Sequence, residues 1–211
     1  MLEEIVIIGG GGHGKVVIDL IESSTRLRIV GIVDHAIPQG TKIMGYPVLG
    51  SDDELEEIYS QGVTRAAVGV GSVGDNGFRA QALQYAHVLG FTFEKLVHPS
   101  AYVSPHAQVG AGCQIMAGSV IQPGSIIGPH TVINTATVIE HDCRIGRNVF
   151  TGTAARVCGN VTVGDDGFLG AGCLILQSLQ VGPRALVGAG SVVVQNIKDG
   201  ARVKGVPAKP Y

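Results

Sequence analysis

The chain has 211 residues, a formal net charge of −2, 45% hydrophobic and 5% aromatic residues, and no tryptophan. That length allows one or two domains, and the near-neutral charge argues against a nucleic-acid surface. The start, Met1-Leu-Glu-Glu-Ile, lacks the basic segment of a signal peptide and no apolar run approaches the ~20 residues of a membrane helix, so a cytoplasmic protein without nucleic-acid or membrane partners is expected.

Taken in chain order, Glu4–Ile8 reads as an apolar strand that enters Gly9-Gly10-Gly11-Gly12-His13-Gly14-Lys15. A helical stretch comes next over 16–22, then a second strand over 28–34. Tyr46-Pro-Val-Leu-Gly50 leads to Ser51-Asp-Asp-Glu, a well-capped helix start. Residues 66–71 form a third strand, 78–89 a helix that stops at Gly90, and 91–96 a connection into the second half of the chain. Strands alternating with helices predict a small parallel α/β domain, Rossmann-like, over residues 1–95. Gly9, Gly11 and Gly14 satisfy G-x-G-x-x-G between strand and helix. Asp34 stands where that fingerprint places its acidic residue, about 20 positions past the last glycine. Glycines let a backbone approach a diphosphate, whose charge suits a helix N-terminus. His13 and Lys15 add hydrogen-bonding or positive groups at the turn, and Asp34 with His35 is placed for a ribose or base. With only about three βα units present, three readings stay open: a nucleotide-diphosphate site, an NAD site, and a purely structural turn.

From Val97 to Val193 an aliphatic residue returns every sixth position, and Thr151 is the one member that is not Val, Ile or Leu. That period fits neither an amphipathic helix nor an isolated strand and marks a hexapeptide β-helix over 96–194. Two places before each aliphatic stands a mostly small residue, such as Cys113, Ser119, Thr131 or Ala155, which strand alternation turns to the same inward side. Gly, Asn and Asp gather in the second to fourth places, where the chain must turn a corner. Three hexads make one coil, giving roughly five coils about 4.8 Å apart, and residues 195–211 form a tail that caps the open end. Cys113, Cys143 and Cys173 fall on different sides and coils, so they are expected as small buried groups rather than disulfides or ligands, and Cys158 as inert.

His141 and Asp142 occupy corner places of Ile139-Glu-His-Asp-Cys-Arg, so both side chains should project outward. A His held by a carboxylate suits a general base, whereas a surface His beside a surface Asp is the plain alternative. Zinc is not expected, because the histidines on the coils lack the ligand spacing of the β-helical carbonic anhydrases.

The Gly-Gly-His-Gly turn, Gly45-Tyr-Pro-Val-Leu-Gly50, Gly74-Asp-Asn-Gly-Phe-Arg79, Val97-His-Pro-Ser-Ala, Val138-Ile-Glu-His-Asp-Cys and the ending Gly205-Val-Pro-Ala-Lys together resemble one bacterial family. It comprises the hexapeptide acyltransferases that include sialic acid O-acetyltransferases and N-acetyltransferases of nucleotide-linked 4-amino sugars. The resemblance implies a left-handed β-helix, acetyl-CoA as donor, a nucleotide sugar as acceptor, no metal, and a homotrimer with sites between adjacent prisms. It implies catalytic roles for His141, Asp142 and Asn134, and sugar-nucleotide contacts at Gly11, Gly12, His13, Lys15, Asp34 and His35. Acetyl-CoA contacts carry onto Ala171 and Ala189, with Lys204 near the phosphates. Phe150 stands beside the acetyl group where many relatives have a second His, so a hydrogen bond from that side chain to the thioester oxygen is lost. A sugar O-acetyltransferase and a non-catalytic β-helix scaffold are the competing readings.

Overall fold

In the computed structural model, which describes residues 3–23 and 27–211, β1 (Glu3–Ile8) carries four consecutive buried residues, Ile5 to Ile8. A strand apolar on both faces belongs inside a sheet covered on both sides. It pairs in parallel with β2 (Leu27–Val33) and β5 (Arg65–Val68). With the hairpin β3 (Lys42–Ile43) and β4 (Tyr46–Gly50) and the edge strand β6 (Thr92–Phe93), the sheet runs β3-β4-β2-β1-β5-β6. Helices α1 (Gly12–Glu22), α2 (Leu55–Ser60) and α3 (Gly77–Val88) connect the strands. The Ser51 side chain accepts from the Asp53 N–H ahead of a 3₁₀ turn, as its capping role predicts. Two elements differ from the sequence reading. Helix α1 begins at Gly12, which puts His13, Gly14 and Lys15 in its first turn, and β5 stops at Val68, ahead of Gly69, where a side chain would collide with the Gly9 carbonyl and the Gly14 backbone. The reading of the first two residues lies outside the described residues.

The chain divides into two compact units, one of residues up to Gly71 with Gly77–Glu94, the other of Ser72–Asn76 with Lys95–Tyr211. The second unit is the left-handed parallel β-helix. Its two-residue strands stack on three sides, each pairing in parallel with the strand one coil on, as Gln114–Ile115 does with Val132–Ile133. We call the sides A, B and C after Val132–Ile133, Val138–Ile139 and Arg144–Ile145 respectively.

The corners explain the sequence bias. Every sixth residue from Gly112 to Gly190 has positive φ, and the non-glycine members include Asp142 (60°), Asn148 (51°), Asn160 (59°) and Asp166 (59°). Left-handed backbone costs an ordinary L-residue roughly 1–2 kcal/mol, and Asn, Asp and Gly tolerate it best. Inside the prism the aliphatics from Ile115 to Val193 are all buried, and the polar Thr151 in their column is fully buried too. The small inward partners include hydroxyls that bond to coil backbone: Ser125 donates to the Glu140 carbonyl at 2.6 Å and Thr131 to Gly146 at 2.7 Å. A buried hydroxyl costs little when so satisfied. Beyond the last coil, Arg202–Lys204 extends side A and pairs with Lys209–Pro210.

Candidate active site

In the α/β unit the chain runs from β1 outward to β2 and later crosses back to β5 on the other side of β1. Such a switch point opens a crevice at the carboxyl ends of the strands, where ligands of open α/β sheets bind. The glycine turn lies there, and its glycines fall into two classes. A side chain on Gly14 would collide with the Gly9 carbonyl oxygen, and Gly9 has φ +100° with its Cβ position only 2.9 Å from Val70. Those two are glycine for the fold. Around Gly11 and Gly12 a Cβ would meet nothing within 4 Å, and neither needs a left-handed backbone. Their lack of a side chain keeps space clear at the N-terminus of α1, where backbone N–H groups favour an anion. The Asp34 carboxylate accepts from the Gly10 N–H at 2.7 Å and the Ala36 N–H at 2.8 Å, which fixes it beside the turn. Burial pushes the Asp52 carboxyl above the usual range; nearby His35 opposes this and the Asp34 charge adds to it, so the three groups share one locality. His13 is half-buried and Lys15 exposed.

On the β-helix, His141 Nδ1 lies 2.9 Å from Asp142 Oδ2, with both side chains about two-thirds exposed. A carboxylate only accepts, so in neutral His141 the proton sits on Nδ1 and Nε2 presents its lone pair. Both side chains rest on glycines of adjacent coils. A Cβ on Gly159, one coil after His141, would stand 2.6 Å from the imidazole Cε1 and Nε2. One on Gly124, a coil before Asp142, would collide with the carboxylate. Gly159 does not adopt positive φ, so its backbone has no need of glycine and the ring above it does. Sequence reasoning missed both glycines. Their signal is the offset of a single coil, three hexads, from the residue each one supports.

Asn134, half-buried, lies at the corner between sides A and B, and its Oδ1 accepts from the Thr135 N–H at 2.8 Å. Ala171 and Ala189 are exposed at the same corner in later coils, joined through the Gly190 N–H to Ala171 carbonyl bond of 2.8 Å. Lys204 continues that line, since a Cβ on Gly188 would approach its Cβ at 3.0 Å. The Lys204 ammonium lies 4.2 Å from the Tyr211 ring centre and the Arg202 guanidinium 5.6 Å. The structure thus gathers Asn134, Ala171, Ala189 and Lys204 along one prism edge. It leaves His141 and Asp142 on the next edge, across side B.

Phe150, which the resemblance puts beside the acetyl group, lies in a strand of side A. It is 5% exposed and stacks on Phe168 with centroids 6.0 Å apart, so its ring is spent on packing. All four cysteines are free, and burial pushes the Cys173 thiol up to about 12, which makes it a poor nucleophile. Among the described residues no group of three or more His, Cys, Asp or Glu is arranged to hold a metal ion. The Gly74–Arg79 motif has a structural use. Arg79, 1% exposed, donates to the Val68 and Val70 carbonyls at the end of β5. Asn76 donates to the carbonyls of Asn148, Asp166 and Gly167 and so anchors Ser72–Asn76 on the coils.

Residues 4–86 match the PglD N-terminal domain family, 106–141 the bacterial transferase hexapeptide (six repeats) and 160–195 the hexapeptide repeat of succinyl-transferase. A histidine-to-alanine variant of GDP-perosamine N-acetyltransferase from Caulobacter crescentus, crystallised with CoA and GDP-perosamine, is 38% identical, with 100% of this chain and 98% of that one covered and a TM-score of 0.92. The acetyltransferase domain of PglB from Neisseria gonorrhoeae FA1090, in complex with acetyl coenzyme A, is 35% identical over 100% of both chains, with a TM-score of 0.91. WeeI from Acinetobacter baumannii AYE, 24% identical over 99% of this chain and 100% of that one, shares the fold with a TM-score of 0.80. No curated protein matches the chain.

Proposed function

The chain belongs to the hexapeptide-repeat acetyltransferases that carry a PglD-type N-terminal domain, and we propose that it transfers the acetyl group of acetyl-CoA to the C-4 amine of a nucleotide-linked 4-amino-4,6-dideoxy sugar, GDP-perosamine. The observation that carries this reading is the whole-chain likeness to an enzyme whose complex holds CoA and GDP-perosamine together. The site chemistry agrees with it. The amine attacks the thioester carbonyl, and His141 Nε2, freed by the Asp142 contact at Nδ1, accepts the proton. The C–N bond forms, the C–S bond breaks and CoA leaves as a thiolate that is then protonated. Gly11 and Gly12, open and helix-leading, take the diphosphate, with Asp34 and His35 toward ribose and base. Ala171, Ala189 and Lys204 line the cofactor's edge, and Asn134, on the same edge, acts on the reacting groups. Incubation with acetyl-CoA and a panel of GDP- and UDP-4-amino sugars, with free-thiol detection, tests the assignment. Thiol release with GDP-perosamine supports it; release with sialic acid and none with any amino sugar would move the activity to O-acetylation.

Our reading of the assembly is a homotrimer with active sites completed between copies. Outward positions on side B are Tyr102, Val120, Val138, Arg156, Leu174 and Val192, a mostly apolar stripe, with Tyr102 52% exposed. Side C presents Gln108, Ile126, Arg144, Thr162 and Gln180 instead. A flat apolar side flanked by two half-sites is suited to a second copy of the chain. Light scattering at micromolar protein should return three times the monomer mass of 21.8 kDa; a monomer mass would refute it. Four free cysteines fit a reducing compartment and support a cytoplasmic location.

Lys204→Ala should raise the KM for acetyl-CoA several-fold and leave the KM for the sugar nucleotide unchanged. A phosphate contact far from the reacting atoms contributes uniform binding. Equal, unmoved KM values would return Lys204 to the surface charges.

A further inference from the structure

We propose that Thr151 is a positioning residue that sets the Asn134 turn for catalysis, an inference that rests on the acetyl-transfer reading above. Wherever a further coil follows a two-residue strand of the prism, the next backbone N–H donates to the carbonyl of an inward residue on that coil. Met116 donates to Ile133, Glu140 to Val157, Gly146 to Val163 and Cys158 to Ile175. Among the described residues Asn134 is the exception. Its N–H donates to the Thr151 hydroxyl oxygen at 2.9 Å. The Val132–Phe150 rung is present there, but the Ile133–Thr151 rung that the other coils show is missing. The single polar member of the aliphatic column and the single departure from the ladder therefore meet at the corner that carries Asn134.

The hydroxyl is fully committed. Thr151 donates to the Val132 carbonyl at 3.2 Å, and the Thr137 hydroxyl lies 3.2 Å away and 3.1 Å from the Gly152 carbonyl. Thr137 closes the same turn through its N–H to the Asn134 carbonyl at 3.0 Å. Both ends of Asn134–Thr137 are thus tied to one side-chain oxygen. Because Oδ1 of Asn134 is taken by the Thr135 N–H, the carboxamide has its NH₂ left to offer outward. Valine has the shape of threonine and would fill the prism as its neighbours do. The hydroxyl is needed for the turn, not for the core. Without it the Asn134 N–H falls back to the ordinary rung on the residue-151 carbonyl, and the carboxamide moves with its backbone.

The test is a double-mutant cycle assayed with acetyl-CoA and GDP-perosamine. Thr151→Val should lower kcat on the order of 10–100-fold, the usual cost of a misplacement of about 1 Å, with both KM values unchanged and a Tm equal to or above wild type. Thr151→Ser, which keeps the hydroxyl, should restore kcat to within about three-fold of wild type. Asn134→Ala should lose activity too, and adding Thr151→Val to it should cost nothing more, since residues acting through one another are not additive. Full activity in Thr151→Val, or the same loss in both backgrounds, would overturn the proposal while leaving acetyl transfer intact. Wild-type protein that releases no thiol would overturn the reading on which it rests.

Discussion

His141→Asn should lower kcat by roughly 10²–10⁴ and leave both KM values near wild type, because a general base acts in the transition state and contributes little to ground-state binding. Asparagine keeps much of the size and some hydrogen bonding of the imidazole but takes no proton at neutral pH. The ring is largely exposed and rests on the bare backbone of Gly159, so a smaller side chain there leaves no buried cavity and a folding defect does not explain the loss. Asp142→Asn should cost less. It keeps a residue that tolerates the left-handed corner at φ 60° and loosens only the Nδ1 contact of 2.9 Å. The pH profile separates two mechanisms. With a true base, activity falls as pH drops and the imidazole protonates, and that acid limb disappears in His141→Asn. An amine is itself a good nucleophile once deprotonated, and its proton can leave late toward the thiolate. A variant that keeps the limb and loses only a few-fold in kcat would assign His141 to positioning the amine.

Gly12→Val should abolish binding of the sugar nucleotide and leave binding of acetyl-CoA intact. The structure sharpens the reason. A Cβ at Gly12 meets no protein atom within 4 Å, so the β-branched side chain projects into open space at the head of α1 and the clash falls on the incoming diphosphate. Calorimetry with GDP-perosamine and acetyl-CoA separately reads this. Gly14→Val makes the contrast, since its side chain would strike the Gly9 carbonyl and should unfold the α/β unit. Loss of both ligands in Gly12→Val would mean a structural role for that glycine too.

The prism was legible because its rule is local. A fixed period puts each aliphatic inside, and the αL corner at every sixth residue explains why Gly, Asn and Asp recur there. Strand alternation correctly sent Cys113, Ser119 and Thr131 inward, each 0% exposed. In the α/β unit the elements were readable from strand and helix alternation, but the two classes of glycine in the turn were not. Telling Gly14 from Gly12 needs the position of the Gly9 carbonyl, a tertiary fact. The same limit hid the glycine floors under His141 and Asp142 and the anchoring of Ser72–Asn76 by Asn76. The resemblance alone places Phe150 beside the acetyl group, and the hexad puts it on an outward strand position. Its stacking on Phe168 depends on a residue one coil away. Thr151 was visible as the odd member of its column, yet its bond to the Asn134 N–H follows from the coil register alone.

On this reading one protein holds a nucleotide-activated amino sugar and moves an acetyl group onto its amine. The most direct measurement is the product formed from acetyl-CoA and GDP-perosamine, analysed by mass spectrometry before and after mild alkaline hydroxylamine. Acetyl transfer to the amine should give one thiol released per acetylated nucleotide sugar and an amide that survives the treatment. Thiol release no faster than in buffer, or an acetyl group removed by hydroxylamine as an ester, would contradict it.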